Sequence, residues 1–412
     1  MANFDITIEF DFIKYLQNLK FIERANKTLI NRNENVAEHS WSIALMSWIL
    51  LEEFQKEFSQ ILNIERMIKI ALIHDVVEII SGDTKAWDKN KISSEKQSQN
   101  EHEAAIKIFS NLQTQAGREM LALWEEYEFK DSLEKKIIKG LDRISAAIHR
   151  LDTNQGWLDV HGTTRELDKI QLPRIGFSNT LLYFYKLLIE EAISRGLIEN
   201  NGTVAQLDMN NIDTVNIEKK YKFIRKSREL KGVLRHVYSS KNRKENCAEH
   251  SWSIAMMVWV LHDSLTAEFN KSTDLLKMIK MCLLHDIPKI YTGDVSVWDN
   301  YTLSIGEQYQ NEKTVLVNIL FRMLSKSLST EMKNIWEEYN EIKTLEAKIV
   351  KAIEREAAAL QRLISGQGWD DVKATVKELD IIQLERVGFS KTLTEFYEKI
   401  KLEAIKEKLL KF

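Results

Sequence analysis

The chain has 412 residues, enough for two domains that each bury a core of their own. Its 58 basic and 61 acidic side chains leave a net charge of −3, which excludes a global attraction to nucleic acid or to an anionic membrane. Two prolines and fourteen glycines, residue types that break or weaken helices, predict an all-α fold. Cys247 and Cys282 are too few for a disulfide framework and fall in apolar helical stretches, so they read as buried thiols in a reducing compartment. No apolar run reaches the roughly 18 residues of a membrane span. The opening MANFDITIEF lacks the basic start and apolar stretch of a secretion signal, and the expectation is a cytoplasmic protein that uses no membrane.

In chain order, helical periodicity predicts helices over 10–30, 37–58, 64–80, 94–112, 116–127, 131–151 and 176–195. Ile43, Leu45, Trp48 and Ile49 keep one apolar face, and Ile68, Leu72, Ile73 and Val76 another. Gly82 is a natural stop for the third of these helices. The arrangement returns at 221–236, 248–269, 274–290, 305–324, 328–339, 343–364 and 388–411, with Gly293 in the place of Gly82. Neither half carries paired β-branched runs with a hairpin signal, so no sheet is predicted.

The return is a tandem duplication. VAEHSWSIALM at 36–46 matches CAEHSWSIAMM at 247–257, and LIHDVVEIISGD at 72–83 matches LLHDIPKIYTGD at 283–294. All ten tryptophans fall into pairs: Trp41/Trp252, Trp48/Trp259, Trp87/Trp298, Trp124/Trp336 and Trp157/Trp369. The expected domains are 1–200 and 215–412, joined by a polar linker at 201–214.

The repeated blocks carry metal-ligand chemistry. His39, His74, Asp75 and Asp142 fall on three helical segments that can face one cleft. Neutral imidazoles with carboxylates suit Mn²⁺, Fe²⁺, Co²⁺, Ni²⁺ or Zn²⁺. Asp142 sits in the otherwise apolar run IIKGLDRISAAIH, where a charge costs several kcal/mol unless paired or metal-bound. Taken singly, His39 reads as a satisfied core histidine and Asp142 as a surface residue. Recurrence of the set at matched positions favours the metal.

On these residues the chain resembles the HD-domain metal-dependent phosphohydrolases. RNENVAEHS followed by LIHDVVEIISGD is similar, more narrowly, to the group of bacterial 5′-deoxynucleotidases and HD domain-containing protein 2. The resemblance implies that His39, His74, Asp75 and Asp142 hold one divalent metal and that Glu78 orients or deprotonates the attacking water. It further implies that Asp83 supports the site and that Arg24 grips the substrate phosphate. Glu78 at i+4 from His74 would share a helix face with it, and Arg24 would offer a forked donor to phosphate. Arg32 is a second phosphate candidate, with a surface role as its alternative, and Asn35 reads as an N-cap. Trp87 and Trp298 are the aromatic candidates to cover a base. The sequence departs from the group after the phosphate-binding arginine, where Ala25 stands for a tryptophan near the sugar, so sugar discrimination does not transfer. A dinuclear site using His102 is set aside, because its counterpart is Lys313.

The second repeat keeps Arg235, His250, His285, Asp286 and Asp294, but Glu78 becomes Lys289 and Asp142 becomes Glu354. A lysine cannot handle the nucleophilic water; it either repels a divalent ion or pairs with Glu354 in place of one. The second repeat is therefore expected to be inactive, its metal and ligand content left open. The leading function is hydrolysis of the phosphomonoester of a nucleoside 5′-monophosphate in the first repeat. The alternatives are a nucleotide-binding sensor, a hydrolase of a triphosphate or cyclic nucleotide, and a scaffold without a bound ion. No nucleic-acid polymer is an expected partner, since neither half interleaves aromatics with a basic groove. The repeats are expected to pack as a pseudo-twofold pair, with further oligomerisation open.

Overall fold

A computed structural model describes residues 5–82, 94–157, 162–202, 211–294, 305–373 and 375–411. The first repeat runs through α1 (Thr7–Leu16), a hairpin of β1 (Glu23–Lys27) and β2 (Asn33–Asn35), α2 (Val36–Ile49), α3 (Leu51–Phe58), α4 (Ile64–Ile73), α5 (Glu78–Ser81), α6 (Ser94–Phe109), α7 (Gln115–Phe129), α8 (Leu133–Thr153), α9 (Thr164–Ile175) and α10 (Asn179–Ser194). The second runs through α11 (Thr214–Ser227), a hairpin of β3 (Leu234–Ser240) and β4 (Arg243–Asn246), α12 (Cys247–Phe269), α13 (Leu275–Leu284), α14 (Lys289–Thr292), α15 (Ile305–Val315), α16 (Lys326–Glu341), α17 (Leu345–Ser365), α18 (Val376–Val387) and α19 (Lys391–Lys406). The fold is all-α apart from the two short hairpins. Among the described residues no helix is long and apolar enough to cross a membrane.

The helices that open with the Glu-His-Ser motif are the centre of the molecule. Each begins with a capping box, Asn35 with Glu38 and Asn246 with Glu249, which satisfies donors that would otherwise be stranded in the interior. Every residue of α2 is buried, as is α12 from Cys247 to Leu261. A helix with no polar face must be covered on all sides, and α2 and α12 cover each other. The boundary between the repeats is thus the core.

That boundary is largely isologous: many of the contacts that one repeat makes on the other are returned. Lys20 pairs with Glu245 at 2.7 Å and Lys231 with Glu34 at 2.5 Å. Arg32 donates to the Lys231 carbonyl at 3.2 Å and Arg243 to that of Lys20 at 3.0 Å. Lys69 lies over the Trp259 ring and Lys280 over that of Trp48. The first helices are exchanged. The α1 helix packs on the second repeat, with the Phe10 and Phe396 rings 5.2 Å apart and Glu9 accepting from Ser264. The α11 helix packs on the first repeat, through Lys220 with Glu53, Tyr221 with Phe184, and Arg225 with Asp152.

Several expected boundaries are corrected. The helices expected over 10–30 and 221–236 stop at Leu16 and Ser227, and each chain then turns through a 3₁₀ segment into a hairpin. Neither hairpin alternates β-branched residues; the strands are set by what they bury at one end, Glu34 and Asn35 in β2 and Glu245 and Asn246 in β4. Helices α9 and α18 were not foreseen, although Thr163 and Thr375 cap them. The helix expected over 64–80 ends at Ile73, and residues 74–77 form tighter turns, with Val76 N bonding to Ile73 O and Glu78 N to Asp75 O. Gly82 and Gly293 do terminate α5 and α14, at φ +71° and +73°.

Stopping α4 at Ile73 strands carbonyls, and side chains answer them. The His74 Nδ1–H donates to Ala71 O at 2.8 Å, and Trp124 Nε1 donates to His74 O at 3.2 Å. Trp252, from the other repeat, donates to Leu72 O at 3.0 Å. In the second repeat His285, Trp336 and Trp41 do the same for Cys282, His285 and Leu283. Trp252→Phe should therefore leave a buried carbonyl unpaired and cost about 1–3 kcal/mol beyond the smaller ring's lost packing. Urea unfolding monitors this, and an unchanged midpoint would refute the role.

Candidate metal centre

The break in α4 turns His74 so that one ring nitrogen serves the backbone and the other faces inward. With Nδ1–H given to Ala71 O, the Nε2 lone pair is the free one, the tautomer a metal ligand requires. His39 comes from the first turn of α2 and Asp142 from the middle of α8. His39, His74 and Asp142 present ligand atoms that all lie within 4.8 Å of one another. Asp75 borders them, its Oδ2 3.2 Å from His74 Nε2 and 3.9 Å from His39 Nε2. Among the buried polar atoms that find no hydrogen bond are His39 Nε2 and His74 Nε2, both inside this cluster. Buried orphan nitrogens facing carboxylates are what a divalent ion would satisfy. The donor set fits one.

Arg24 reaches the same place from β1. Its Nη1 donates to Asp75 Oδ2 at 2.8 Å, while Nη2 lies 3.5 Å from Asp142 Oδ1 and Nε 3.6 Å from Glu34 Oε2. Burial would lower the guanidinium pKa, but Asp75, Asp142, Glu34 and Glu78 raise it. Burial would raise the Asp75 carboxyl, yet His74, Arg24 and His39 hold it well below the usual range. Asp142 is likewise held down, by His39 and Arg24 against its burial. The site keeps its carboxylates ionised, ready for a cation.

Glu78 opens α5 rather than continuing the helix of His74, so tight turns and not an i+4 helix face connect the two residues. Asp83 and Trp87 lie outside the described residues, as does Trp298. Arg32 is not brought to the cluster: its guanidinium grips Glu38 with two bonds and reaches the Lys231 carbonyl. His102 stacks on Trp124 and bonds Glu125.

Three neighbours were not singled out in the sequence. Glu34 is fully buried, its Oε2 3.5 Å from His39 Nδ1 and its Oε1 2.6 Å from His149 Nε2. Tyr127 packs its ring 5.3 Å from that of His74. The signal for Glu34 and Tyr127 was available: RNEN returns as RKEN and WEEY returns unchanged. His149 has no such signal, since its counterpart is Gln361.

The second cluster is built alike but neutralised. His250 and His285 converge with Asp286, the counterpart of Asp75, where the first set converges through Asp142. Lys289 Nζ, however, lies 2.8 Å from Asp286 Oδ1 and 2.6 Å from Asp294 Oδ1. Burial opposes the lysine's charge, but Asp286 and Asp294 raise its pKa far above the ordinary lysine value. The Lys289–Glu354 pair considered from the sequence is not formed. Glu354, one methylene longer than Asp142, instead accepts from the Tyr339 hydroxyl at 2.6 Å and pairs with Lys351. Arg235 is shared between Glu245 and Asp286. Access differs too: the Asp75 side chain is 19% exposed, whereas Asp286 is 2% exposed and sealed.

The HD domain family model matches residues 16–174 and 227–392, and the chain belongs to the HD domain family, with two copies of the domain in tandem. Among curated proteins the chain is similar to human 5′-deoxynucleotidase HDDC2, 32% identical over 134 residues, covering 32% of this chain and 61% of that protein. It is 35% identical over 118 residues to 5′-deoxynucleotidase HDDC2 of Dictyostelium discoideum, covering 28% of this chain and 60% of the other. The 5′-deoxynucleotidase of Yersinia pestis (strain Pestoides F) is 29% identical over 144 residues, covering 34% and 72%. The chain thus spans about three fifths of the length of the first two of these relatives. A crystal structure of a predicted metal-dependent phosphohydrolase from Magnetospirillum magnetotacticum MS-1 is 33% identical, covers 47% of this chain and 95% of its own, and superposes with a TM-score of 0.41.

The two clusters lead to a count. The protein should retain one divalent ion per chain by elemental analysis after gel filtration, because Lys289 already fills the charge requirement of the second. Asp75→Ala should reduce that content towards zero, while Asp286→Ala should leave it as it is. Two ions per chain would refute the difference.

Proposed function

We propose that the chain is a metal-dependent phosphohydrolase that releases phosphate from nucleoside 5′-monophosphates, with the chemistry confined to the first repeat. The observation that carries this reading is the convergence of His39, His74 and Asp142, bordered by Asp75, in one acidic cluster that Arg24 also reaches. The 5′-deoxynucleotidase names of the relatives support the substrate class. A divalent transition ion held by those four residues supplies Lewis acidity, lowering the pKa of water and offsetting charge on phosphoryl oxygens.

The chain's own groups do the rest. Arg24 offers its guanidinium to the phosphate; its pairing with both Asp75 and Asp142 keeps it aimed at the reacting centre. Glu78, whose charge helps to raise the Arg24 pKa, accepts the proton of the attacking water. Asp83 and Trp87 are assigned by resemblance and by sequence position, the first to the leaving-group side and the second to the base. The second repeat has Lys289 in the place of Glu78 and both its cations committed to carboxylates, which favours turnover in the first repeat over ligand storage in the second.

Metal-depleted protein supplied with Mn²⁺, Co²⁺, Ni²⁺ or Zn²⁺ should release inorganic phosphate from ribo- or deoxynucleoside 5′-monophosphates. Release from none of them, or pyrophosphate or triphosphate from nucleoside triphosphates instead, overturns the reading. Glu78→Gln should lower kcat while the ion stays bound. Arg24→Ala should weaken use of the phosphate-bearing substrate by about 2–5 kcal/mol in kcat/KM, and unchanged kinetics would place the phosphate elsewhere.

A further inference from the structure

The carboxylate behind His39 is answered by a cation from the wrong repeat. Glu34 Oε2 faces His39 Nδ1, and Glu34 Oε1 receives Lys231 Nζ at 2.5 Å; both residues are buried, and Lys231 belongs to the second repeat. Lys231 also donates to Ser42 Oγ at 3.1 Å, and the Ser42 hydroxyl donates to the His39 carbonyl at 2.8 Å. One ammonium therefore bears on His39 twice, through its ring and through its backbone. With its other oxygen on the Lys231 ammonium, the Glu34 carboxylate facing His39 Nδ1 at 3.5 Å favours the tautomer protonated there, which turns the Nε2 lone pair towards Asp142, 3.1 Å away.

The second repeat also braces α8, the helix of Asp142. Arg228 donates to Ser145 Oγ at 3.0 Å, and Arg225 pairs with Asp152 at 2.7 Å. The return direction has lost these contacts. The counterparts of Ser145, Asp152 and Arg228 are Ala357, Ile364 and Gln17, and Gln17 makes only neutral bonds, to Ser253 and Gln361. Of the charged support, Lys20–Glu245 mirrors Lys231–Glu34, and Lys14–Glu403 mirrors Arg225–Glu191. The charged brace thus runs mainly from the repeat with the altered centre to the repeat with the intact one.

We propose that Lys231, supplied by the second repeat, is a positioning residue for the first repeat's metal site, acting through Glu34 and Ser42 on His39. This rests on the metal-site reading above and gives the second repeat a part in the first one's chemistry. Groups that orient a ligating histidine typically alter metal affinity by about 10–100-fold.

The test uses the full chain with Co²⁺ as probe, comparing Lys231→Met, Lys231→Arg and Lys20→Met. Lys20 is the internal control, as buried as Lys231 and paired with Glu245, but facing the second centre. Co²⁺ affinity is read by competition with a chromophoric chelator, the ligand field by the visible spectrum of the loaded protein, and stability by thermal melting. Lys231→Met should weaken Co²⁺ binding at least about tenfold, shift the spectrum and lower kcat more than it changes KM. Lys231→Arg should restore most of each. Lys20→Met should lower the melting temperature comparably and leave affinity and spectrum unchanged.

Wild-type affinity and spectrum in Lys231→Met overturn the proposal. So does an equal loss in Lys20→Met, which would mean a loosened interface rather than a positioned ligand. Should Lys231→Met not fold, Glu34→Gln keeps the shape and removes the charge, and an unchanged spectrum there overturns it as well. If wild-type protein hydrolyses no nucleotide, the proposed function fails while the cobalt readouts still decide the role of Lys231.

Discussion

The helix that carries His74 stops in the middle of the core, and the carbonyls released there must find donors without water. Helix ends are normally placed at the surface for that reason. Here the end is interior because His74 and Asp75 have to turn out of the helix together towards His39 and Asp142. The donors are His74 itself, Trp124 from α7 and Trp252 from the other repeat. The site's geometry and the contact between repeats are therefore one arrangement: the same broken turn that aims His74 at the cluster offers Leu72 O to the neighbour.

This coupling accounts for a repeat that keeps its helices while its centre changes. Trp41 and Lys231 serve contacts across the boundary, and neither depends on Glu78 or Asp142 being what they are. Lys289 in the place of a carboxylate, next to Asp286 and Asp294, makes the second cluster an ion-paired one in place of an acidic one, with the boundary contacts kept. Breaking such a buried set would cost several kcal/mol, so the altered centre is itself a stable structure.

Exchange of the first helices changes what a domain means here. The linear repeat unit and the unit in space differ by one helix, since α1 packs with the second repeat and α11 with the first. Association between the repeats is intramolecular, at the high effective concentration of a tether. The buried pairs Lys20–Glu245 and Lys231–Glu34 thereby fix register as well as contact, because a slip would leave four charges unpaired in the core.

Duplication made much of this legible in the sequence. The helical class, the two copies, the candidate ligands His39, His74, Asp75 and Asp142 and the altered centre at Lys289 were read from residue type, period, comparison of one half with the other and family resemblance. The capping boxes at Asn35 and Asn246 and the stops at Gly82 and Gly293 were local chemistry and readable as such. What tertiary structure decided was wherever a residue's partner is far along the chain. The hairpins at 23–35 and 234–246 carry no strand pattern, because they are held by buried Glu34 and Glu245, whose lysine partners come from the other repeat. The break after Ile73 is invisible to periodicity, because helical and 3₁₀ turns share nearly the same dihedrals and only distant donors make stopping tolerable. Arg32 and Arg24 look equivalent as sequence; one is spent on Glu38 and the other reaches Asp75, a distinction made by which carboxylate packing brings within reach.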